Sequence, residues 1–179
     1  MCDRAGVTPH VLIGDFDSLD ESVLQRLESR GADVVRFPEE KDATDLELAV
    51  REAIPRGATE LTITCAATGR LDHTLAALGT LASQPQLRPR LVEPDLTVHV
   101  LAASGRDSLV LSAAGTGVSI LAFGGCAVVS AVGLKWPLDR EILEPTSARG
   151  LSNVVVSEDS LITVHDGTVL VFRPGAPGA

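Results

Sequence analysis

The stretch IGDFDSL, residues 13–19, sets two acids, Asp15 and Asp17, directly after an apolar run that begins at Val11. Such a run is typical of a buried β-strand. The pattern Ser-Leu-Asp-Glu at 18–21 is a capping box, which begins a helix. A strand, an acidic turn and a helix in this order predict an α/β fold. Local structure alone does not explain why two carboxylates end the strand.

The same order of strand and helix repeats along the first half of the chain. Strand-like runs at 32–37 and 60–65 are followed by helical patterns at 44–54 and 71–83. Strands separated by helices of this length imply right-handed crossovers. We therefore predict a parallel sheet with flanking helices.

The second half of the chain has a different pattern, made of short β-rich runs between Gly, Ser and Asp turns. These runs are 96–101, 108–111, 118–123, 127–132, 154–156, 161–165 and 169–172. They predict a small antiparallel sandwich or barrel. The proline-interrupted segment 84–94 is interpreted as a linker. The predicted fold is α/β, with a parallel-sheet domain flanked by helices over 1–88 and an all-β sandwich domain over 89–179.

The composition excludes several classes of protein. With 179 residues, 45% of them hydrophobic, the chain can fill a globular core. A net charge of -9 and 3% aromatic residues argue against a nucleic-acid partner. No apolar window is long enough for a membrane span, and no leader pattern precedes the first strand. Cys2, Cys65 and Cys126 lack disulfide or zinc spacing, so a cytoplasmic protein is expected.

Asp15 and Asp17 form the first candidate site. Ligands gather at the carboxyl ends of strands in a parallel sheet, and these two acids follow the first strand. Two carboxylates at i and i+2 can bind a hard divalent cation such as Mg²⁺ together with phosphate oxygens. The alternative interpretation is that Asp15 caps a turn and Asp17 is solvated.

The second candidate site is the segment KDATD, residues 41–45. Thr44 is a good N-cap, and Asp45 favours the first turn of a helix through the helix dipole. Capping does not explain Lys41 and Asp42. An ammonium group beside acids at a helix N-terminus suits a metal-bound polyphosphate, because backbone N–H groups there also face the phosphate charge.

The third candidate site is the segment GRLDH, residues 69–73, which follows the strand-like run at 60–65. Arg70 can bind a phosphate with two parallel hydrogen bonds, while Asp72 orients it and His73 contacts substrate or caps the helix. The alternative is a surface ion pair between Arg70 and Asp72 beside an ordinary exposed histidine.

Three acidic loops at three successive strand ends together favour a metal-dependent nucleotide site. A D-x-D pair alone would also suit a glycosyltransferase or another nucleotidyl enzyme. In the β half, the pattern by itself favours Trp136 as a core or interface residue and 150–153 as a hairpin connection.

Five motifs in a fixed order carry a family resemblance. They are GDFDSL (14–19), KDATDLELA (41–49), GRLDHTL (69–75), GLKWPL (133–138) and GLSN (150–153). Together they resemble bacterial thiamine pyrophosphokinases. The resemblance implies Mg²⁺-dependent transfer of pyrophosphate from ATP to thiamine, with release of AMP. It also implies a homodimer in which thiamine lies where the two domain types meet across the subunits.

The resemblance also implies roles for individual residues. The metal and phosphate ligands would be Asp15, Asp17, Asp42 and Asp45, and the nucleotide site would include Lys41, Thr44, Arg70, Asp72 and His73. Thiamine would contact Trp136, Ser152 and Asn153, since a tryptophan face suits a cationic heteroaromatic ring. Either Asp42 or Asp72 would accept the proton of the thiamine hydroxyl.

The sequence departs from the family pattern in two places. Members carry an earlier strand and a loop resembling ADGGA, and we expect both to be missing ahead of residue 13. The approach to Arg70 is Ala-Ala-Thr-Gly at 66–69, and Ala77 stands where asparagine is common. An alternative is therefore a non-catalytic remnant that still binds thiamine or nucleotide.

Overall fold

The computed structural model describes residues 3, 5–38, 40, 42–67 and 69–175. The chain forms two compact units, residues 1–57 and 58–179. Among the residues described, the helices are all too short or too polar to cross a membrane.

The first unit is a small α/β layer. Its elements are β1 (Val11–Gly14), α1 (Glu21–Ser29), β2 (Asp33–Arg36) and α2 (Asp45–Ala53). β1 and β2 pair in parallel, with Val11 opposite Asp33 and Gly14 opposite Arg36. The predicted parallel β1–β2 pairing is confirmed. Each helix buries two side chains, which are Leu24 and Leu27 in α1 and Leu48 and Val50 in α2.

The two helices of this unit begin with side-chain caps. The Thr44 hydroxyl accepts a hydrogen bond from the Glu47 N–H at 3.2 Å, which confirms Thr44 as the predicted N-cap, while the Glu47 carboxylate accepts from Arg51 at 2.6 Å. In α1 the N-cap is Asp20, whose carboxylate accepts from the Ser22 N–H at 2.8 Å. The prediction of a cap at Ser18 was wrong by two residues, because residues 16–19 form a turn of their own closed by the Leu19 N–H and the Phe16 carbonyl.

The second unit holds the remaining elements. They are β3 (Thr62–Ile63), α3 (Leu71–Ala82), a 3₁₀ turn (Pro85–Leu87), β4 (Arg90–Glu93), β5 (Leu96–Ala102), β6 (Ser108–Leu111), β7 (Gly117–Ala122), β8 (Ala127–Val132), β9 (Leu138–Leu143), β10 (Asn153–Val154), β11 (Ser160–Asp166) and β12 (Thr168–Pro174). A six-stranded sheet has the order β10-β7-β12-β5-β4-β3, and a four-stranded sheet has the order β6-β11-β8-β9.

One hydrophobic core joins these two sheets into a sandwich. It contains residues from both, such as Ile120 of the larger sheet and Ile162 of the smaller. Along β8 burial alternates as a two-sided sheet requires: Val129 is fully buried, while Val132 on the opposite face is exposed.

The prediction of a parallel-sheet catalytic domain needs correction. β3 does not join β1 and β2; it pairs in parallel with β4 at the edge of the six-stranded sheet, whose other pairings are antiparallel. The segment 84–94 is not a linker, because it forms a 3₁₀ turn and β4, in which Leu91 is 1% exposed. Pro85 begins the 3₁₀ turn, and Pro94 lies in the turn between β4 and β5. The domain division at 88 and 89 stays a prediction.

His99 on β5 is a buried ionisable side chain of the larger sheet, only 9% exposed. Burial, reinforced by the charges of Arg106, Arg173 and Arg90, lowers its pKa to about 4. The unfolded chain therefore binds more protons between pH 4 and 6.5, so the free energy of unfolding should fall by roughly 2 to 3 kcal/mol as the pH drops through that window.

The His99→Gln variant tests this linkage. Urea unfolding at several pH values between 4 and 7 should show a flatter pH dependence for His99→Gln than for the wild type. An equally steep dependence in the variant would show that other groups cause it.

Candidate functional site

The loop after β1 positions Asp15 and Asp17. The Asp15 carboxylate accepts a hydrogen bond from the Asp17 N–H at 3.3 Å, so the two acids share one tight turn. Asp15 is partly buried, whereas Asp17 is exposed. The turn predicted for Asp15 as an alternative role is present, and it leaves the second carboxylate in solvent.

Phe16 holds this loop in an unusual backbone conformation. Its φ of 61° lies in the left-handed region, which costs a bulky residue of order 1–3 kcal/mol and often occurs at functional sites. The Arg36 guanidinium lies 5.3 Å from the centre of the Phe16 ring. Packing of this ring against the end of β2 therefore helps to fix the two flanking acids.

The N-terminus of α2 lies beside the end of β1. A Cβ at Gly14 would stand 3.4 Å from Oδ2 of Asp45, so the Asp45 carboxylate faces the backbone that leads into Asp15. Asp42 is exposed in the loop before Thr44. The structure thus brings Asp45 to the GDFDS loop, and Lys41 lies outside the described residues.

These carboxylates have the chemistry of a magnesium site that is completed by a ligand. Within the described parts of the chain, no three or more His, Cys, Asp or Glu side chains are arranged to hold a metal ion by themselves. Mg²⁺ usually takes only one or two protein carboxylates and fills its shell with water and phosphate oxygens. Asp45 beside the end of β1 and the Asp15 turn fit that requirement; the full set of four aspartates stays a prediction.

Arg70 and Asp72 form a two-pronged ion pair at the start of α3. Arg70 donates from Nε to Oδ1 of Asp72 at 3.2 Å and from Nη2 to Oδ2 at 2.6 Å. Both side chains are about two-thirds exposed, at 68% and 65%, and His73 is also exposed. The surface ion pair considered from the sequence is therefore present, and it occupies one edge of the guanidinium.

The Arg70→Gln variant tests this pair without any substrate. The Arg70 hydrogen bonds are the main reason that the pKa of Asp72 is lowered from 3.8 to about 2. Removing them should return the Asp72 pKa toward 3.8, as measured by NMR titration of the carboxyl carbon. The Asp20 carboxyl serves as an internal control, because its lowered pKa depends mainly on Ser22. An unchanged Asp72 pKa would mean that the pair does not form in solution.

A pocket of about 820 Å³ lies within the second unit. The residues that line it include Ser152 and Asn153, which the sequence predicts at the thiamine site, together with Glu93 and Asp95. Two acids and a wall of β-sheet side chains suit a small cationic ligand. Trp136 is not among the lining residues; its side chain is 47% exposed, and the Lys135 ammonium lies 4.7 Å from its ring centre.

Asn153 joins two of the sequence motifs through its side chain. Its amide accepts hydrogen bonds from the Trp136 N–H at 3.0 Å and the Val154 N–H at 2.9 Å, and it donates to the Trp136 carbonyl at 2.6 Å. The residue is only 1% exposed. Asn153 therefore holds the GLKWPL segment against the GLSN segment, while Ser152, at φ 53°, is exposed at the pocket.

Sequence reasoning missed the contribution of the β4–β5 turn. Glu93 lines the pocket and also accepts hydrogen bonds from the backbone N–H groups of Ala66 at 2.8 Å and Ala67 at 3.1 Å. It therefore fixes the loop that leads toward Arg70. The Glu-Pro-Asp pattern at 93–95 is typical of a turn. Because the segment 84–94 was interpreted as a linker, Glu93 was not considered as a site residue.

Family models match most of the chain. Residues 2–91 match the model described as the catalytic domain of thiamin pyrophosphokinase, and residues 107–169 match the model described as its vitamin B1 binding domain. The chain's five motifs fall inside these two ranges.

Individual relatives agree with the family models. The chain is 25% identical over 178 residues to thiamine pyrophosphokinase 3 of Oryza sativa subsp. japonica, covering 94% of this chain and 67% of the rice protein. It is 24% identical over 172 residues to thiamine pyrophosphokinase of Bacillus subtilis, covering 94% of this chain and 80% of that protein. The solved structure of a thiamin pyrophosphokinase family protein from Enterococcus faecalis shares the fold, with a TM-score of 0.81 and 24% sequence identity. The match covers 98% of this chain and 84% of the Enterococcus faecalis chain.

Proposed function

Since the chain belongs to the thiamin pyrophosphokinase family, whose members transfer pyrophosphate from ATP to thiamine, we propose that it makes thiamine diphosphate and AMP with the residues described above. The observation that carries the proposal is the 820 Å³ pocket, where two acids stand beside Ser152 and Asn153. A net negative lining favours a positively charged thiazolium ring.

Asp15, Asp17, Asp42 and Asp45 are the proposed ligands of Mg²⁺ and, through it, of the ATP phosphates. When bound, Mg²⁺ neutralises phosphate charge and so favours attack on the β-phosphorus. The support is local: Asp45 faces the end of β1, and the turn at Asp15 fixes the acid that follows it. Thr44 contributes by capping the helix that begins with Asp45.

Arg70 is proposed to bind a phosphate of ATP, with Asp72 and His73 in the same nucleotide loop and Lys41 near the phosphates. A guanidinium suits this role because its planar donors match two phosphate oxygens. The two hydrogen bonds to Asp72 fix the orientation of the Arg70 side chain. With ATP bound, the Arg70 guanidinium would bind both Asp72 and a phosphate.

The thiamine hydroxyl must lose a proton as it attacks the phosphorus. We propose an aspartate, either Asp42 or Asp72, as the acceptor. Both are exposed, which leaves them accessible to a substrate hydroxyl. Ser152 contacts thiamine directly in this proposal, and Asn153 lines the same pocket while holding the Trp136 backbone. Trp136 does not line that pocket, so its proposed contact with thiamine depends on the homodimer, in which thiamine would lie between the subunits.

We also propose that the protein is a cytoplasmic homodimer, as the family resemblance implies. Analytical ultracentrifugation tests the assembly: a species of twice the chain mass supports it, and a monomer at high protein concentration would contradict it.

The activity test mixes the protein with thiamine, ATP and Mg²⁺. Chromatography should show thiamine diphosphate and AMP in equal amounts, and EDTA should abolish both. ADP as the only nucleotide product would point to a different phosphoryl transfer.

Calorimetry separates this proposal from the non-catalytic alternative. If thiamine binds but neither product forms, the chain is a binding remnant of the family. The same measurement with a nucleotide sugar addresses the glycosyltransferase alternative, which gives no reason for the GLKWPL and GLSN segments.

A further inference from the structure

A second pocket of about 730 Å³ in the 58–179 unit shares no lining residue with the proposed thiamine pocket. Three arginines line it: Arg88, Arg90 and Arg106. They are three of only 15 basic residues in a chain of net charge -9. Like charges around one cavity repel each other, so their convergence requires an explanation.

Each guanidinium keeps donors available in this pocket. Arg90 donates from Nε to the Thr62 hydroxyl at 2.8 Å, and Arg106 donates from Nε to the Ser108 carbonyl at 3.0 Å. These bonds fix the two side chains through one nitrogen and, over the part of the chain that the structure describes, leave their terminal NH₂ groups without an acceptor. Nη1 of Arg88 lies 4.0 Å from Oε1 of Glu60, which is close enough for an ion pair but too far for a hydrogen bond.

The backbone around the pocket is tightly built. Gly105 approaches the 3₁₀ turn so closely that a Cβ on it would stand 2.4 Å from the Pro85 carbonyl oxygen. The Ala102 N–H donates to the Arg106 carbonyl at 2.8 Å and so closes the turn that carries Arg106. The arginine positions are therefore set by the fold, since both β4 and this turn are part of it.

The charges near the pocket favour an anion. The lining also contains Glu60 and Asp107, so three positive and two negative groups leave a net positive lining in an acidic protein. The charges of Arg106 and Arg90 also help to lower the pKa of the buried His99, which lies opposite Arg90 on the neighbouring strand β5.

We propose that this pocket binds the phosphate or diphosphate group of a small metabolite, at a site separate from the thiamine pocket. Terminal NH₂ groups of arginine match paired phosphate oxygens, and three of them can engage two phosphoryl groups. The volume exceeds what inorganic phosphate fills, which leaves room for a nucleoside or sugar beside Gln86 and Ser104.

His99 provides a local reporter of binding. The test titrates metal-free protein, in EDTA, with inorganic pyrophosphate while NMR follows the His99 ring resonance, which the His99→Gln variant assigns. A bound anion opposes the field of Arg90 and Arg106, so the pKa of His99 should rise by about half a unit. No change in the His99 titration at saturating pyrophosphate would overturn the proposal.

Arginine variants establish the location. The variants Arg88→Gln and Arg106→Gln should each weaken pyrophosphate binding to this site about tenfold. The Arg88 side chain is 66% exposed, so its replacement should not disturb the fold. The matched control Arg140→Gln removes the same charge outside the pocket and should leave binding unchanged. Equal weakening by all three variants would show that only net charge matters and would overturn the site.

ADP without metal distinguishes the source of the phosphate. Tighter binding of ADP than of pyrophosphate, sensitive to Arg88→Gln, identifies a nucleotide ligand. Equal binding supports recognition of the diphosphate group alone.

Discussion

The Asp15→Asn variant is expected to lose about 10³-fold or more of its thiamine diphosphate formation and to melt like the wild type. A factor of this size corresponds to about 4 kcal/mol of transition-state stabilisation, which is what a metal held by charged ligands can supply. Asparagine keeps an acceptor oxygen for the Asp17 N–H, so the turn seen at 3.3 Å survives. The variant removes the negative charge and one of the two carboxylate oxygens, which are the features that a divalent cation binds.

Asp42→Ala should behave in the same way, because Asp42 is exposed and its removal from an acidic region does not destabilise the fold. The matched control is Asp20→Asn. Asp20 caps α1 in the same unit, and asparagine caps a helix equally well, so this variant should keep full activity. Full activity in Asp15→Asn, with a normal melting curve, would remove Asp15 from the metal site.

Asn153→Ala is expected to lower the free energy of unfolding by roughly 3 kcal/mol. Alanine leaves the Trp136 N–H, the Trp136 carbonyl and the Val154 N–H without their partner at a site that is 1% exposed. Buried polar groups that lose their partners cost about 1–3 kcal/mol each, partly recovered when the segment relaxes toward water. The same change should weaken thiamine binding, because Asn153 lines the proposed thiamine pocket.

Urea unfolding and thiamine calorimetry measure these two effects. The stability control is Ser152→Ala, because the Ser152 side chain is exposed at the rim of the same pocket. It should leave the unfolding free energy within about 0.5 kcal/mol of wild type. If Asn153→Ala unfolds like Ser152→Ala, the Asn153 bonds to Trp136 do not stabilise the protein.

Several local features follow from short patterns in the sequence. The N-cap hydrogen bond from the Glu47 N–H to the Thr44 hydroxyl joins two residues three apart in the chain, and it forms as predicted. The β-rich runs from residue 96 onward likewise form strands close to their predicted bounds. Burial alternates along β7 and β8, whereas β5 and β12, in the middle of the larger sheet, are buried on both faces.

The wrong predictions concern partners that are distant in the chain. β4 and β9 were missed, and β3 was assigned to a sheet with β1 and β2, whereas it pairs with β4. Nothing local distinguishes these choices, because strand pairing depends on which edge is available after the rest of the sheet has formed. The role of Asn153 was likewise hidden, since its partner Trp136 lies 17 residues away.

The sequence by itself determined the Thr44 cap, most strands, the acidic loops and the family, because each of these is carried by residues close together or by motifs in a fixed order. Only the tertiary structure decided which strands pair, that Asn153 holds Trp136, and that Arg88, Arg90 and Arg106 converge on one pocket. These contacts join residues that are far apart in the chain, so they depend on the whole fold and no short stretch of residues encodes them.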